Sequence, residues 1–359
     1  MPIPRASMGF VGSVTFANIA LVSPAPSYNG NVTVRATTAD IKAAQEVTTP
    51  NVVDGRLDKT LYQLGPRTVE GSVAFPLVHE GSAVNSGRSC GTTVNHGQLF
   101  WALASQRDQF GRLQYGSMQV RIRYTDDTAF IYPNCLINQL TMTVVHEGTV
   151  DMNMSVIGGA NSSDNVRENA ADIGENLDYL SPARVVTWND FAIKIWGDES
   201  VVVSGDYIRQ FEVTLNNNAQ RFYTLNSRLA PQDIAAGKRE ITGRVVLMGR
   251  HPNLSELAYN NQRRFSSNSK IGFGYRLGAA GSPVFATVLN GVIFQIEEIA
   301  ITNELVETTV PFRAMGDCDA NYEAIEIGAA VALPSSSPSP GQFGGPTAPL
   351  FPQFRIDSL

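Results

Sequence analysis

Short runs of alternating apolar and polar residues recur along most of the chain. In ITGRVVLM, Ile241, Gly243, Val245 and Leu247 share one side at period two, as in a strand with one face on a core. Gly243 has no side chain to pack there, so it marks a bulge or a close backbone approach. MQVRIRYT sets Val120, Ile122 and Tyr124 against Gln119, Arg121 and Arg123, and NVTVRATT is the first clear alternating strand. MTVVHEGTVDMNMSV predicts a hairpin turning at His146-Glu147-Gly148. In VIFQIEEIAI, Val292, Phe294 and Ile296 are in phase. Past Glu297 and Glu298 the apolar positions move to Ile299 and Ile301, the one-residue slip of a β-bulge.

Two stretches change to helical spacing. HGQLFWALASQRDQF places Leu99, Phe100 and Leu103 on one side. In HPNLSELAYNNQRR, Asn253 and Glu256 have capping-box spacing, and Leu254 and Leu257 supply an apolar side. Turn residues divide the rest. SPAPSYNG closes an N-terminal hairpin, with Asn29-Gly30 as its positive-φ turn. Lys42 to Arg67 lacks periodicity, is punctuated by Pro50, Gly55, Gly65 and Pro66, and reads as a long loop. Residues 158–183 form a polar linker with a short helical segment before Ser181-Pro182. NYEAIEIGAAVAL predicts one last strand or short helix, and the tail from Pro334 is disordered by composition.

The blocks occur twice. TVEGSVAFPLVH overlays EITGRVVLMGRH, with Gly71 on Gly243 and His79 on His251. Asn134, Leu136, Ile137 and Gln139 overlay Asn290, Val292, Ile293 and Gln295. Val150, Met152, Met154 and Val156 overlay Val306, Thr308, Val310 and Phe312, and VTFANIAL resembles VTWNDFAI. The reading is a mainly β protein, of sandwich or barrel units each with a short α-helix, in tandem duplication. The units are 1–159 and 184–319, with a linker 160–183 and a C-terminal extension 320–359 that is Pro/Ser/Gly-rich from 334.

Composition narrows the function. A length of 359 residues accommodates two domains, and 17% charged residues suits β structure with polar faces. No apolar run reaches the ~20 residues of a bilayer-spanning helix, so membrane insertion is not expected. The start, MPIPRASMGFVGS, lacks the pattern of a secretion signal and points to folding in a cytosol. A net charge of −6, with arginine pairs balanced by carboxylates, argues against tight nucleic-acid binding.

Candidate chemistry is sparse. Cys90, Cys135 and Cys318 have no metal or disulfide spacing, and Cys135 reads as a core residue. His79, His96, His146 and His251 stand apart. Ser267 and Lys270 match SxxK without companion motifs, and GFGYRLG is a glycine-relieved strand rather than a phosphate loop. The pairs Asp126-Asp127 and Asp317/Asp319 read as turn residues, as do Asn216 to Asn218 after FEVTL. No catalytic residue, cofactor or metal site is expected, and the chain reads as a non-enzyme.

The blocks AAGKREITGRVVL, the short helix after it and the closing VETTVPFRAMGD resemble bacteriophage tail tube proteins, over Val185 to Asp317 and more loosely over Val14 to Gly159. The resemblance implies a structural protein of the virion tail, assembled in the bacterial cytoplasm. It implies trimeric rings of two-unit chains, stacked into a hollow tube for DNA, with tape measure, terminator and baseplate proteins as further partners. It also implies inter-ring contacts by two loops, carrying Pro50, Asp54, Arg56, Asp58 and Lys59 in the first unit and Asp233, Lys238, Arg239 and Glu240 in the second. The alternatives are another virion β-protein (tail terminator, baseplate or decoration) and a carbohydrate-binding or carbohydrate-cleaving β-sandwich. The last would need an aromatic platform, for which Trp101, Trp188 and Trp196 are the tryptophans, or a carboxylate pair in a cleft.

Overall fold

The computed structural model describes residues 13–21, 28–48, 63–79, 96–105, 118–125, 128–159, 167–168, 184–196, 201–225, 231, 233–249, 251, 252, 254, 269–276, 283–295, 298–301, 306–315 and 325–328. In the first half these form β1 (Ser13–Leu21), β2 (Tyr28–Val34), β3 (Thr38–Thr48), β4 (Gln63–Pro76), β5 (Val78–His79), α1 (His96–Ser105), β6 (Gln119–Thr125), β7 (Thr128–Tyr132), β8 (Cys135–Val145), β9 (Val150–Gly158) and β10 (Arg167–Glu168). The second half continues with β11 (Arg184–Val185), β12 (Phe191–Trp196), β13 (Val201–Ser204), β14 (Ile208–Asn216), β15 (Gln220–Phe222), β16 (Asp233–Ala235) and β17 (Glu240–Met248). It ends with β18 (Lys270–Arg276), β19 (Pro283–Leu289), β20 (Val292–Phe294), β21 (Glu298–Ile301), β22 (Val306–Ala314) and β23 (Ile325–Gly328).

One pairing order appears twice. β3 pairs with β4, β4 with β9 and β9 with β8. In the second half β14 pairs with β17, β17 with β22, and β22 with β20 and β21. β8 and β14 join these sets into one nine-stranded antiparallel sheet. The outer sheets repeat as well, in the orders β2-β1-β6-β7-β10 and β13-β12-β18-β19-β23. Their last strands lie beyond the unit bounds read from sequence: β10 falls in the polar linker and β23 in the C-terminal extension.

Aromatic side chains fill the space between the layers. Phe100 of α1 lies 5.1 Å from both Phe16 of β1 and Phe75 of β4, and Phe211 of β14 lies 5.1 Å from Phe273 of β18. Trp101 of α1 reaches Phe273 at 5.7 Å, so the first half's helix also packs on the second half's outer sheet. The one apolar side expected of this helix is therefore too narrow. Leu99 through Ala104 are all buried, because α1 is enclosed on several sides. Trp101 is fully buried and offers no sugar platform.

Several expectations hold in detail. Ile241, Val245 and Leu247 of β17 are buried together. The β8–β9 hairpin turns at Glu147 (φ 67°). The register slips by one residue between β20 and β21, where the bulge was expected, and again within β8 between Ile137 and Gln139. GFGYRLG contributes to strand β18, and Ile325–Gly328 is a strand. Cys135 is fully buried, and burial pushes its thiol up to about 12, which keeps it protonated and inert at neutral pH.

Others need correction. Asn29-Gly30 lies inside β2, paired with Ala20 and Ile19, and Leu21 still pairs with Tyr28. Residues 22–27, between these partners, lie outside the described residues. Lys42 to Arg67 is no open loop: Lys42–Thr48 and Gln63–Arg67 are the arms of the β3–β4 hairpin. β3 hid from the periodicity because, among its described side chains, only Ile41 is buried, among alanines and exposed Asp40 and Lys42. The β8 overlay shifts by one residue, since strand partners put Cys135, Leu136 and Ile137 on Val292, Ile293 and Phe294. VTWNDFAI begins as a 3-10 turn at Trp188–Asp190 instead of a strand. Buried Asp190 accepts bonds from the Thr187 N–H (3.2 Å) and hydroxyl (3.0 Å) and from Arg184 (2.5 Å). Of the second helix, Pro252 and Leu254 are described, both helical, with Leu254 buried. The helical segment expected before Ser181-Pro182 lies outside the described residues.

Candidate assembly interface

The nine-stranded sheet is open, with β3 at one edge and β20 and β21 at the other. Among the described residues neither edge has a strand on its outer side. Exposed edges of this kind are templates for another strand. The chain supplies its own example of such a junction where the halves meet. Along β8 and β14, pairing runs from Gln210 opposite Val145 to Asn216 opposite Gln139. The Thr141 and Thr214 hydroxyls meet at 3.0 Å on the open face, and Met142 faces Val213 on the core side.

Asn217 closes this junction. Asn216, expected in a turn, is instead the last residue of β14, and Asn217 and Asn218 form a short break before β15, with Asn218 at φ 47°. Asn217 itself is fully buried, and its Nδ2 donates to Ala104 O (2.8 Å) at the end of α1 and to Ile137 O (3.0 Å) beside the β8 bulge. Its N–H donates to Asn138 O at 2.8 Å. One residue thus binds helix, bulge and junction, the first two through its side chain and the last through its backbone N–H. Asn217→Ala is expected to cost about 2–3 kcal/mol, because two buried carbonyls lose their donor. Asn217→Asp is expected to cost at least as much, since a carboxylate would face those same oxygens. Urea denaturation midpoints check both.

The face of the sheet away from the core is polar. Its carboxylates include Asp40, Glu70, Asp151, Glu212, Glu240 and Glu307. The basic groups beside them are paired. Arg244 bonds Glu212 through Nε (3.0 Å) and Nη2 (2.7 Å), Lys42 lies 3.1 Å from Asp40, Arg313 lies 3.9 Å from Glu240, and Arg209 bonds Glu307. No unbalanced basic stripe for gripping phosphate forms on this face among the described residues.

Exposed apolar side chains gather at the two ends of the strands. At one end are Val145, Trp188 (its ring 4.5 Å from His146), Tyr207 and Met248. At the other, the hairpins β3–β4 and β14–β17 both extend past the sheet, the second as β15 and β16. These arms expose Val47 and Leu64 on the first, and Phe222, Tyr223 and Leu225 on the second, Leu225 at 105%. Arg221 clamps the second arm onto the first half by donating to Gly158 O (3.1 Å) and Val69 O (2.5 Å).

Pro50, Asp54, Arg56, Asp58 and Lys59 lie outside the described residues. Asp233 and Lys238 are exposed on the second arm. Arg239 instead turns inward, donating to Ser105 O at 2.6 Å, and Glu240 faces Arg313 on the open face. Sequence reading missed the apolar arm residues, although RFYTL, apolar between polar stretches, was visible. Among the described residues no group of three metal-ligating side chains forms, and no helix is long and apolar enough to cross a membrane. His79 ends β5 and packs on Tyr275 (6.4 Å), whereas His251 lies three residues beyond the end of β17 and packs on Tyr207 (5.3 Å). Asp126, Asp127, Asp317 and Asp319 lie outside the described residues.

No curated protein sequence matches the chain. The family model described as phage tail tube protein matches residues 5–314, well over half of the chain. With this match over its repeated β architecture, the chain belongs to the phage tail tube protein family and is a structural protein of a phage tail.

Proposed function

We propose that three chains join edge to edge into a closed ring, and that rings stack into the hollow tube through which phage DNA passes. The observation that carries this is the repeated pairing order with its built-in junction. β14 stands to β17 as β3 stands to β4, and β8 stands to β9 as β20 and β21 stand to β22. The outer edges β3 and β20/β21 are therefore copies of the two strands already joined inside the chain. Each chain counts as two units, 1–159 and 184–319, connected through 160–183, with the strands at 167–168 and 325–328 completing the outer sheets.

Size favours several chains. One chain offers eight strand positions across the sheet, enough only for a barrel filled by its own side chains. Three chains at ~4.8 Å per strand give a circumference of roughly 115 Å and a backbone diameter of about 37 Å before tilt widens it. Subtracting a side-chain layer of about 5 Å per wall, half the spacing of packed sheets, leaves roughly 27 Å. The polar open face then lines the channel. Its acidic groups and paired basic groups let a duplex slide without adhering.

The two strand ends carry different apolar groups, so rings meet head to tail and propagate into a filament. The arms, with 49–62 between β3 and β4, make the ring-to-ring contact. Terminator, baseplate and tape measure proteins meet the same surfaces and lumen, and assembly takes place in the bacterial cytoplasm. Negative-stain microscopy of the purified full-length protein is expected to show hollow tubes with threefold end views. Monomers alone, or isolated rings of another symmetry, would overturn the reading.

A further inference from the structure

The repeat allows the chain-to-chain register to be read residue by residue, resting on the ring reading above. Gly243 faces Val213 and Gly71 faces Ile41, so Ile41 occupies the place of Val213, and Lys42 that of Thr214. Gly243 also faces Phe312 and Gly71 faces Val156, which puts Asn153 at the place of Thr309. Asn153 faces Thr141 and Thr309 faces Glu298, so Glu298 occupies the place of Thr141. Inside the chain Thr141 faces Thr214.

We propose that β21 of one chain pairs antiparallel with β3 of a second copy in a single register, Glu298 opposite Lys42 and Ile299 opposite Ile41. The same register sets Ala300 opposite Asp40 and Ile301 opposite Ala39. Backbone partners and glycine positions alone fix this register, which brings an acid to a base and isoleucines to apolar partners. Shifting by two residues would set Glu298 opposite Asp40, a like-charged pair that disfavours that register. Ile41 is buried, Ala39 packs on the core and Lys42 is exposed on the open face, so β3 has the facing that the junction inside the chain shows for Val213 and Thr214. The uncharged threonine pair inside the chain becomes an ion pair between chains. That difference favours β21 over β8 as the partner of β3.

The test is disulfide trapping in full-length protein with Cys90 and Cys318 replaced by serine. Directly opposed residues of antiparallel strands have Cα atoms ~4.5–5.5 Å apart, within disulfide reach. Lys42→Cys with Glu298→Cys is expected to give covalent trimers on a non-reducing gel, and Asp40→Cys with Glu298→Cys is not. A second measurement covers poor folding of the cysteine variants. Lys42→Glu is expected to raise the concentration needed for assembly by about fivefold, and adding Glu298→Lys to restore it. Tubes that trap the shifted pair, or assemble equally well with Lys42→Glu, overturn this register and leave the ring reading standing. Failure of the unsubstituted chain to form rings overturns the ring reading itself.

Discussion

Alanine in place of Gly243 is expected to destabilise the protein by about 2–4 kcal/mol, the upper range for overpacking a core. A Cβ there would lie 2.3 Å from Glu212 O and 2.4 and 2.8 Å from two ring atoms of Phe312. Neither neighbour can yield easily. Glu212 belongs to β14, which is held on both sides by β17 and β8. Phe312 stacks on Phe211 at 6.1 Å and meets Phe294 edge-on at 6.3 Å. The matching glycine behaves differently. At Gly71 a Cβ would come within 1.9 Å of Asp40 O and 2.5 Å of Ile41 Cα, both on β3. As an edge strand β3 can move away, so Gly71→Ala is expected to cost about half as much stability while displacing the strand that must meet the next copy. Chemical denaturation and microscopy together separate the cases. Gly243→Ala lowers the denaturation midpoint most, and Gly71→Ala keeps a folded chain that forms few rings. Equal stability losses with assembly intact in Gly71→Ala would contradict the role given to β3.

The second large effect is on stacking. Phe222→Asp with Leu225→Asp is expected to leave rings intact and abolish long tubes. Both side chains are exposed in the single chain, so the folded chain loses little, within roughly 0.5 kcal/mol. Burying a Phe or Leu contributes about 1.5–3 kcal/mol, and a ring repeats both three times, so a ring-to-ring contact loses on the order of 10 kcal/mol. Sedimentation and electron microscopy measure ring and tube populations. Tubes of ordinary length from the double variant would remove the second arm from the stacking contact.

Much of the fold was legible because local rules acted on single residues. Alternation in β17 marks which side is buried, the turn of the β8–β9 hairpin stands out, and the phase slip past Glu297 and Glu298 signals the bulge whose register change falls between Phe294 and Glu298. The pairing of Gly71 with Gly243, found by overlaying two stretches, proved to be two places where a neighbouring backbone passes too close for a Cβ. The candidate interface was less legible. Charged loop residues were expected to carry the contacts, yet Arg239 binds the end of α1, and the arms present Phe222 and Leu225. Asn217 looked like one of three turn asparagines, because its acceptors lie 80 and 113 residues away in the chain.

Periodicity, turn chemistry and repetition thus established a β protein made of two like halves, with one face assigned in strands such as β6 and β17. They carried no information about neighbours. A period-two pattern records which face of a strand meets the core, whereas the backbone N–H and C=O groups along its edges are the same for every residue except proline. Which strands pair, which edges stay open and which asparagine reaches a distant carbonyl are settled only when remote segments meet. Tertiary structure therefore decided that β8 joins β14 and that β3 and β21 are left at the margins.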